Sequence, residues 1–97
     1  MKISLKKFGT VLISRQLGQE SFKAFKPTLD KITENEIVEI DFEGITTFSP
    51  SWGDEFLSPI LEKYGQKLIL LNTQNPSVKT TLQLLKDLDN KQFNIAS

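Results

Sequence analysis

The segment from residue 37 to residue 72 constrains the fold most strongly, because two different strand patterns flank a helical one. Residues 38–42 alternate between apolar and acidic side chains, which is typical of a strand covered on one face only. Residues 67–72 (KLILLN) are apolar on both faces, as in a central strand. With a helix over 50–64 between them, they predict a βαβ unit with parallel strands and a right-handed crossover.

The boundaries of this central helix are marked in the sequence. Ser49-Pro50 is a start signal, because serine caps free N–H groups and proline suits the first helical position. Gly65 fits the position that follows a helix. Trp52 lies on the apolar stripe of the helix, which places it in the core by default. At an exposed rim, the same side chain would instead anchor an interface.

The rest of the chain predicts further short elements. We expect a strand over 2–6, a helical stripe over 11–25, a second short helix over 27–33 after Pro27, a helix over 75–88 and a short edge strand over 93–95. Together they predict a small α/β sandwich. Its sheet is mixed or mostly parallel, and its helices pack mainly on one face.

Charge balance and two missing residue types narrow the classes of function. Twelve Lys and Arg residues balance twelve Asp and Glu residues, so no overall field favours nucleic acid or an anionic membrane. The chain contains neither cysteine nor histidine, which removes disulfides, thiolate chemistry and the commonest metal ligand and acid–base side chain. We therefore expect no enzyme activity, no metal and no cofactor.

Length and hydropathy predict one domain. The 97 residues suffice for a single core, which we place over about 2–88 within a domain of residues 1–97. No stretch approaches the roughly 20 apolar residues of a membrane span. Met1–Phe8 lacks the apolar region of a signal peptide. We expect a cytoplasmic protein.

The most specific motifs lie between residues 40 and 56. They are Asp41-Phe-Glu-Gly-Ile45 at the end of a strand and Ser49-Pro-Ser-Trp-Gly-Asp-Glu55 at the start of a helix. The first matches D-F-x-G-[VI]. The second is similar to S-x-S-F-A-D-E, with Trp and Gly in place of Phe and Ala. Upstream, Phe8-Gly-Thr10 and Ser14-Arg-Gln-Leu-Gly18 look like G-T and S-R-x-x-G. In this order the motifs resemble the STAS-like family of unknown function, which is related to bacterial anti-sigma factor antagonists.

The resemblance to those antagonists implies a regulatory module that binds protein. Such a domain docks on a histidine-kinase-like ATPase or anti-sigma factor, and phosphorylation of a serine at this helix start releases it. Alignment on Asp41 and Gly44 puts the usual acceptor at Pro50, which cannot be phosphorylated. Ser51 falls at the second hydroxyl position and is therefore our candidate phosphoacceptor.

The predicted docking surface is the start of helix 50–64 with its neighbouring turns. Arg15 lies on an otherwise apolar stripe, where it either pairs with Asp54 or Glu55 or extends along the edge of the core. Asp41 is expected to accept hydrogen bonds from the Gly44 turn or the helix start. The predicted partner-binding residues are Arg15, Asp41, Ser49, Ser51, Trp52, Asp54 and Glu55.

Two other classes of function stay open at this point. A small-ligand sensor would bind an anion or nucleotide at the same helix N-terminus. An enzyme would have to use Asp41, Asp54 or Glu55. Adjacent helical residues such as Asp54 and Glu55 point about 100° apart, so they do not converge as a catalytic dyad would.

Overall fold

The computed structural model describes residues 1–33 and 35–96. Within this part of the chain there are six short strands and three α-helices. The strands are β1 (Lys2–Ser4), β2 (Val11–Leu12), β3 (Val38–Asp41), β4 (Thr47–Phe48), β5 (Leu68–Leu71) and β6 (Asn94–Ile95). The helices are α1 (Arg15–Leu29), α2 (Pro50–Tyr64) and α3 (Pro76–Asp89). Short 3-10 helices cover Leu5–Phe8 and Gly65–Lys67.

The main sheet has the strand order β1-β3-β5-β6, and each of its ladders is parallel. Following the chain, each new strand of this sheet is therefore added at the same edge. Because such crossovers are right-handed, a constant direction of growth places α1, α2 and α3 on one face of the sheet. The prediction of a small α/β fold with mostly parallel strands and helices on one face is confirmed.

The two faces of the sheet differ in burial as the alternating pattern predicts. Ile3, Ile40 and Leu70 are register partners, and all three are buried. Lys2 and Glu39 pair one residue earlier, on the opposite face, where they are exposed and half-buried. The core therefore lies between the sheet and the helices.

A second, two-stranded ladder was not predicted. β2 pairs with β4 in parallel, with Val11 opposite Thr47. The prediction of a helical stripe from Val11 is wrong in its first turn, because α1 begins only after Ser14. The Oγ atom of Ser14 accepts the N–H of Leu17 at 3.2 Å and caps the helix.

The predicted separate helix over 27–33 is also wrong, because α1 continues through Pro27. Pro27 lies in the last helical turn and is exposed. Lys23, four residues earlier, is exposed as well. The carbonyl of Lys23 loses its partner, but water can replace one hydrogen bond at an exposed helix end. The N–H of Asp30 then donates to the Lys26 carbonyl at 2.8 Å and closes the helix.

The later elements follow the predicted boundaries closely. α2 occupies the predicted range, and Gly65 follows it at a φ of 56°, which favours glycine. Asn75 caps α3 by accepting the N–H groups of Ser77 and Val78 at 2.7 and 3.3 Å. The predicted edge strand exists as β6.

α1 and α2 run parallel to each other in close contact. A Cβ atom added to Gly18 would lie 2.9 Å from the carbonyl oxygen of Trp52, so glycine is needed at this approach. Near the other end, the Nζ atom of Lys63 lies 3.6 Å from Asp30. The two helices therefore run in the same direction, and their N-termini lie side by side.

Candidate functional site

Ser49 fixes the start of α2 from two directions. Its Oγ atom accepts the N–H of Trp52 at 3.2 Å, which confirms the predicted N-cap. The same hydroxyl donates to the carbonyl of Ile13 at 2.7 Å. This second bond was not predicted, and it ties the start of α2 to the segment that leads into α1.

The first turns of α3 hold the strand that enters α2. The Nδ2 atom of Asn75 donates to the carbonyl of Ile45 at 3.0 Å. The N–H of Phe48 donates to the Ser77 hydroxyl at 2.9 Å, and the Thr81 hydroxyl donates to the Phe48 carbonyl. The start of α2 is thus held between α1 and α3, so the side chains that it presents have fixed positions.

Arg15 pairs with both carboxylates of the predicted docking surface. Its Nη1 atom lies 2.7 Å from Glu55 Oε1 and 3.4 Å from Asp54 Oδ2. The hydrogen bonds that Arg15 donates, first to Glu55 and then to Asp54, raise the pKa of Arg15 above its ordinary value. Of the two alternatives left open for Arg15, the structure shows the pairing, and the arginine side chain is about half exposed and not buried. Asp54 also accepts the Ser58 hydroxyl at 2.8 Å.

Ser51 lies half-buried in the first turn of α2. Among residues 1–33 and 35–96, its hydroxyl makes no hydrogen bond, in contrast to the hydroxyl of Ser49. It precedes Asp54 and Glu55 by three and four residues, so it shares their helix face. Arg15 packs against that face. The Ser51 hydroxyl therefore has no partner within the described residues and shares its helix face with two carboxylates.

Trp52 belongs to the core and not to the docking surface. Its side chain is 1% exposed, and its ring stacks on Phe56 with centroids 4.8 Å apart. Phe48 meets the same ring edge-on at 5.9 Å. The interpretation of Trp52 as a core residue, based on helical spacing, is confirmed. Its inclusion among the predicted partner-binding residues is wrong, because a partner cannot reach a buried indole.

Asp41 lies away from the other predicted site residues. Its Oδ1 atom accepts the N–H of Glu43 at 2.9 Å and the Asn72 side chain at 2.8 Å, and Lys2 Nζ lies 3.9 Å from Oδ2. The predicted bond within the Gly44 turn is confirmed, whereas the structure shows no bond from the helix start. Burial alone would raise the pKa of Asp41. The hydrogen bonds from Asn72 and Glu43, with the charges of Lys2 and Lys6, outweigh burial and lower it.

The sequence analysis missed three exposed apolar side chains in the segment that leads into α1 and in its first turn. Val11, Ile13 and Leu17 are each more than half exposed. Ile13 lies next to Ser49, because its carbonyl accepts the serine hydroxyl. The available signal was the short apolar run Val11-Leu12-Ile13, with two β-branched residues, just before the capping Ser14, which is typical of a short strand that ends before a helix begins.

Apolar and charged side chains thus lie side by side where the two helices begin. We call this region the helix-start surface. It consists of Val11, Ile13, Arg15, Leu17, Ser51, Asp54 and Glu55, together with the capping residue Ser49.

The span that carries β3, α2 and β5 also matches a known family. The family described as STAS-like domain of unknown function (DUF4325) matches residues 18–78, which is more than half of the chain. The chain belongs to this family. The resemblance drawn from the motifs is therefore confirmed, and the family description leaves the function of this STAS-like domain open. No curated protein and no solved structure gives a significant match to the chain.

Two kinds of feature are absent from the described residues. No helix within residues 1–33 and 35–96 has the length and apolar character needed to cross a membrane. Over the same residues, no group of three or more Asp or Glu side chains is placed to hold a metal ion.

Proposed function

We propose that this STAS-like domain is a non-catalytic regulatory module that docks a partner protein through the helix-start surface. The observation that carries the proposal is the exposed apolar group of Val11, Ile13 and Leu17 beside the Arg15 ion pairs. Apolar side chains with a charged border are characteristic of protein interfaces. The bonds that fix both helix starts add support, because a rigid surface loses little entropy on binding.

The partner that we propose is a histidine-kinase-like ATPase domain or an anti-sigma factor. This choice rests on the motif resemblance to anti-sigma factor antagonists. The surface carries Asp54 and Glu55 but only one cation, Arg15, which both carboxylates already contact. A complementary partner would present an apolar centre facing Ile13 and Leu17, with basic side chains at its edge.

Phosphorylation of Ser51 is the proposed switch. A phosphate in the first turn of α2 would be stabilised by the helix dipole. It would also compete with Glu55 for Arg15, since Ser51 and Glu55 share a helix face. A dianion next to the apolar side chains would be costly to desolvate in a complex. Phosphorylation would therefore release the partner without unfolding the domain.

The docking proposal is tested by matched leucine substitutions. We expect Leu17→Asp to weaken binding to a histidine-kinase-like ATPase domain from the same genome by tenfold or more, as measured by calorimetry. The control is Leu88→Asp, at an even more exposed leucine on α3. Asp54→Lys should weaken binding as well. Equal affinities for all four proteins would remove the helix-start surface from consideration.

The switch is tested by two substitutions at one position. Ser51→Asp should weaken the complex, whereas Ser51→Ala should leave it unchanged, because the wild-type hydroxyl has no internal partner to lose. Incubation with the ATPase-fold partner and ATP should give a phosphopeptide at residue 51 by mass spectrometry. A phosphate mapped elsewhere, or equal binding of both variants, would contradict the role of Ser51.

The alternatives from the sequence receive less support at this surface. An anion bound at the start of α2 would lie near Asp54 and Glu55, and Arg15 is already paired with both. For catalysis, the carboxylate of Asp41 is held by Asn72 and lies away from α2. We therefore favour protein docking over a ligand sensor or an enzyme here.

A further inference from the structure

A groove lies between α3 and the edge strand β6, on the side of the molecule away from α1. Ile95 pairs in register with Leu70, which faces the helices, so Ile95 belongs to the helix-facing row of the sheet. Nevertheless it is 49% exposed. The helix-facing side of β6 is therefore left partly uncovered. The resulting cavity has a volume of about 520 Å³, within the range of about 300–1,000 Å³ usual for small-molecule sites.

The lining of this groove combines an apolar floor with a cationic rim. Leu82, Phe93 and Ile95 contribute the apolar surface, and the lysines Lys79, Lys86 and Lys91 contribute the charge. None of the lining residues is acidic. In a chain whose charges balance overall, three lysines around one cavity without a carboxylate form a local positive region.

These three lysines have no counter-charge within the described residues. Lys26 and Lys63, by contrast, pair with Asp30 at 2.8 and 3.6 Å. Across residues 1–33 and 35–96, no ion pair or side-chain hydrogen bond involves the amines of the three groove lysines. The nearby carboxylate of Asp87 instead accepts the Gln83 amide at 2.9 Å.

The spacing of the lysines lets two of them act together. Lys79 and Lys86 are seven residues apart on α3, which puts them on one helix face and about 10 Å apart along the axis. Leu82 lies between them and is buried. An acidic group on a bound molecule could therefore approach the lysine rim while its apolar part contacts Leu82.

We propose that this groove, here called the α3–β6 groove, binds a small organic anion that has an apolar body. The apolar part lies against Leu82, Phe93 and Ile95, and a phosphate, sulfonate or carboxylate is bound by the three lysines. The cavity volume favours a small molecule over a peptide. This site lies on α3 and β6, so it is separate from the helix-start surface, and each proposal can fail without the other.

Four probes separate the contributions of charge and apolar body. 1-Naphthyl phosphate and 2-naphthoate carry both parts, 2-naphthamide lacks the charge, and pyrophosphate lacks the apolar body. Titrations of the ¹⁵N-labelled full chain, followed by amide chemical shifts, report affinity and location together. We expect the two charged naphthyl compounds to shift residues 73–95 and to bind about tenfold more tightly than the other two. Their relative affinities distinguish a phosphate from a carboxylate as the preferred acidic group.

Matched lysine substitutions test the rim. The double variant Lys79→Gln with Lys86→Gln should weaken binding of 1-naphthyl phosphate about tenfold. The control, Lys23→Gln with Lys31→Gln, removes the same charge from exposed lysines in and just after α1 and should leave the affinity unchanged. Preserved amide spectra establish that both variants fold.

Several results would overturn the proposal. These are equal affinity for 2-naphthamide and 1-naphthyl phosphate, shifts outside the groove, an equal effect of both double variants, or no shift at millimolar probe. Binding of a short polyaspartate peptide at β6 without binding of the naphthyl anions would assign the groove to an acidic protein segment instead.

Discussion

The two sides of the helix layer, at α1 and at α3, are closed to very different degrees. On the α1 side, Gly18 lets the backbones approach, and Phe25 stacks on Phe56 with centroids 5.7 Å apart. On the other side, the first turns of α3 are tied to β4, but the region toward β6 opens into a groove that leaves Ile95 about half exposed. One flank is a finished core, whereas the other retains a cavity.

This difference shows where the fold keeps space for function. The α1–α2 contact is closely packed, so its functional capacity lies on its surface, where the two helices begin. The α3–β6 side has an open groove bordered by charge. We therefore propose protein docking at the first region and binding of a small anion at the second.

The sharpest test of this contrast compares an aromatic truncation on each side. Trp52→Ala should lower the free energy of unfolding by about 3–5 kcal/mol, because it opens a cavity among packed rings. Phe93→Ala, in the half-buried lining of the groove, should cost about 1 kcal/mol. Urea denaturation of both variants measures the difference. Equal losses would mean that the α3–β6 side is packed as tightly as the α1 side.

The close approach at Gly18 should not tolerate a side chain. Gly18→Val should destabilise the protein by about 3 kcal/mol, because the new Cβ would meet the backbone of Trp52, which cannot move freely. Gln19→Val, at the exposed neighbouring position, introduces the same β-branched residue into the same helix and should cost less than about 1 kcal/mol. Similar thermal midpoints for the two variants would show that α1 and α2 can separate.

Asp41 should contribute a pH-dependent stabilisation near the sheet end shared by β3 and β5. Asp41→Ala should cost about 2 kcal/mol at pH 7, because the N–H of Glu43 and the Asn72 amide lose a charged acceptor. The folded-state pKa lies below the unfolded one, so this stabilisation is complete above about pH 4 and is lost as the pH falls through the folded pKa.

Asp41→Asn serves as the variant that cannot titrate. The difference in the free energy of unfolding between wild type and Asp41→Asn should be constant from pH 7 to about pH 5 and should become smaller below about pH 4. A difference that grows on acidification would contradict the lowered pKa of Asp41.

The smallest expected difference in stability is that between alanine substitutions of the two serines at the start of α2. Ser49→Ala should cost about 1 kcal/mol, because it removes the cap and the bond to Ile13. Ser51→Ala should change stability by less than about 0.5 kcal/mol. Thermal unfolding of both variants measures this. If Ser51→Ala costs as much as Ser49→Ala, the hydroxyl has a structural role and is not free for modification.

Local signals predicted the central part of the fold well. The range of α2 follows from Ser49-Pro50 and Gly65, and the end of β3 follows from the alternation over 38–42. α3 likewise begins after the cap at Asn75. In each case, residues close together in the chain satisfy the backbone of the element that they define, so the sequence alone contains the information.

The wrong predictions concern segments whose secondary structure depends on residues far away in the chain or on solvent exposure. Val11 has helical spacing with the residues of α1, but β4 provides it with a strand partner that the spacing does not reveal. Pro27 ends many helices, yet here it falls on an exposed last turn where one lost hydrogen bond is tolerated.

The helix-start surface was likewise only partly determined by the sequence. The motifs around residues 40–56 identified the family and the start of α2, and spacing placed Trp52 in the core. Tertiary structure decided that Arg15 contacts both carboxylates, that Asp41 is held by other partners, and that Ile13 is exposed beside Ser49. The physical reason is that caps and periodicity act over a few residues, whereas a surface is made by segments that meet only when the parallel strands β2 and β4 bring two helix starts together.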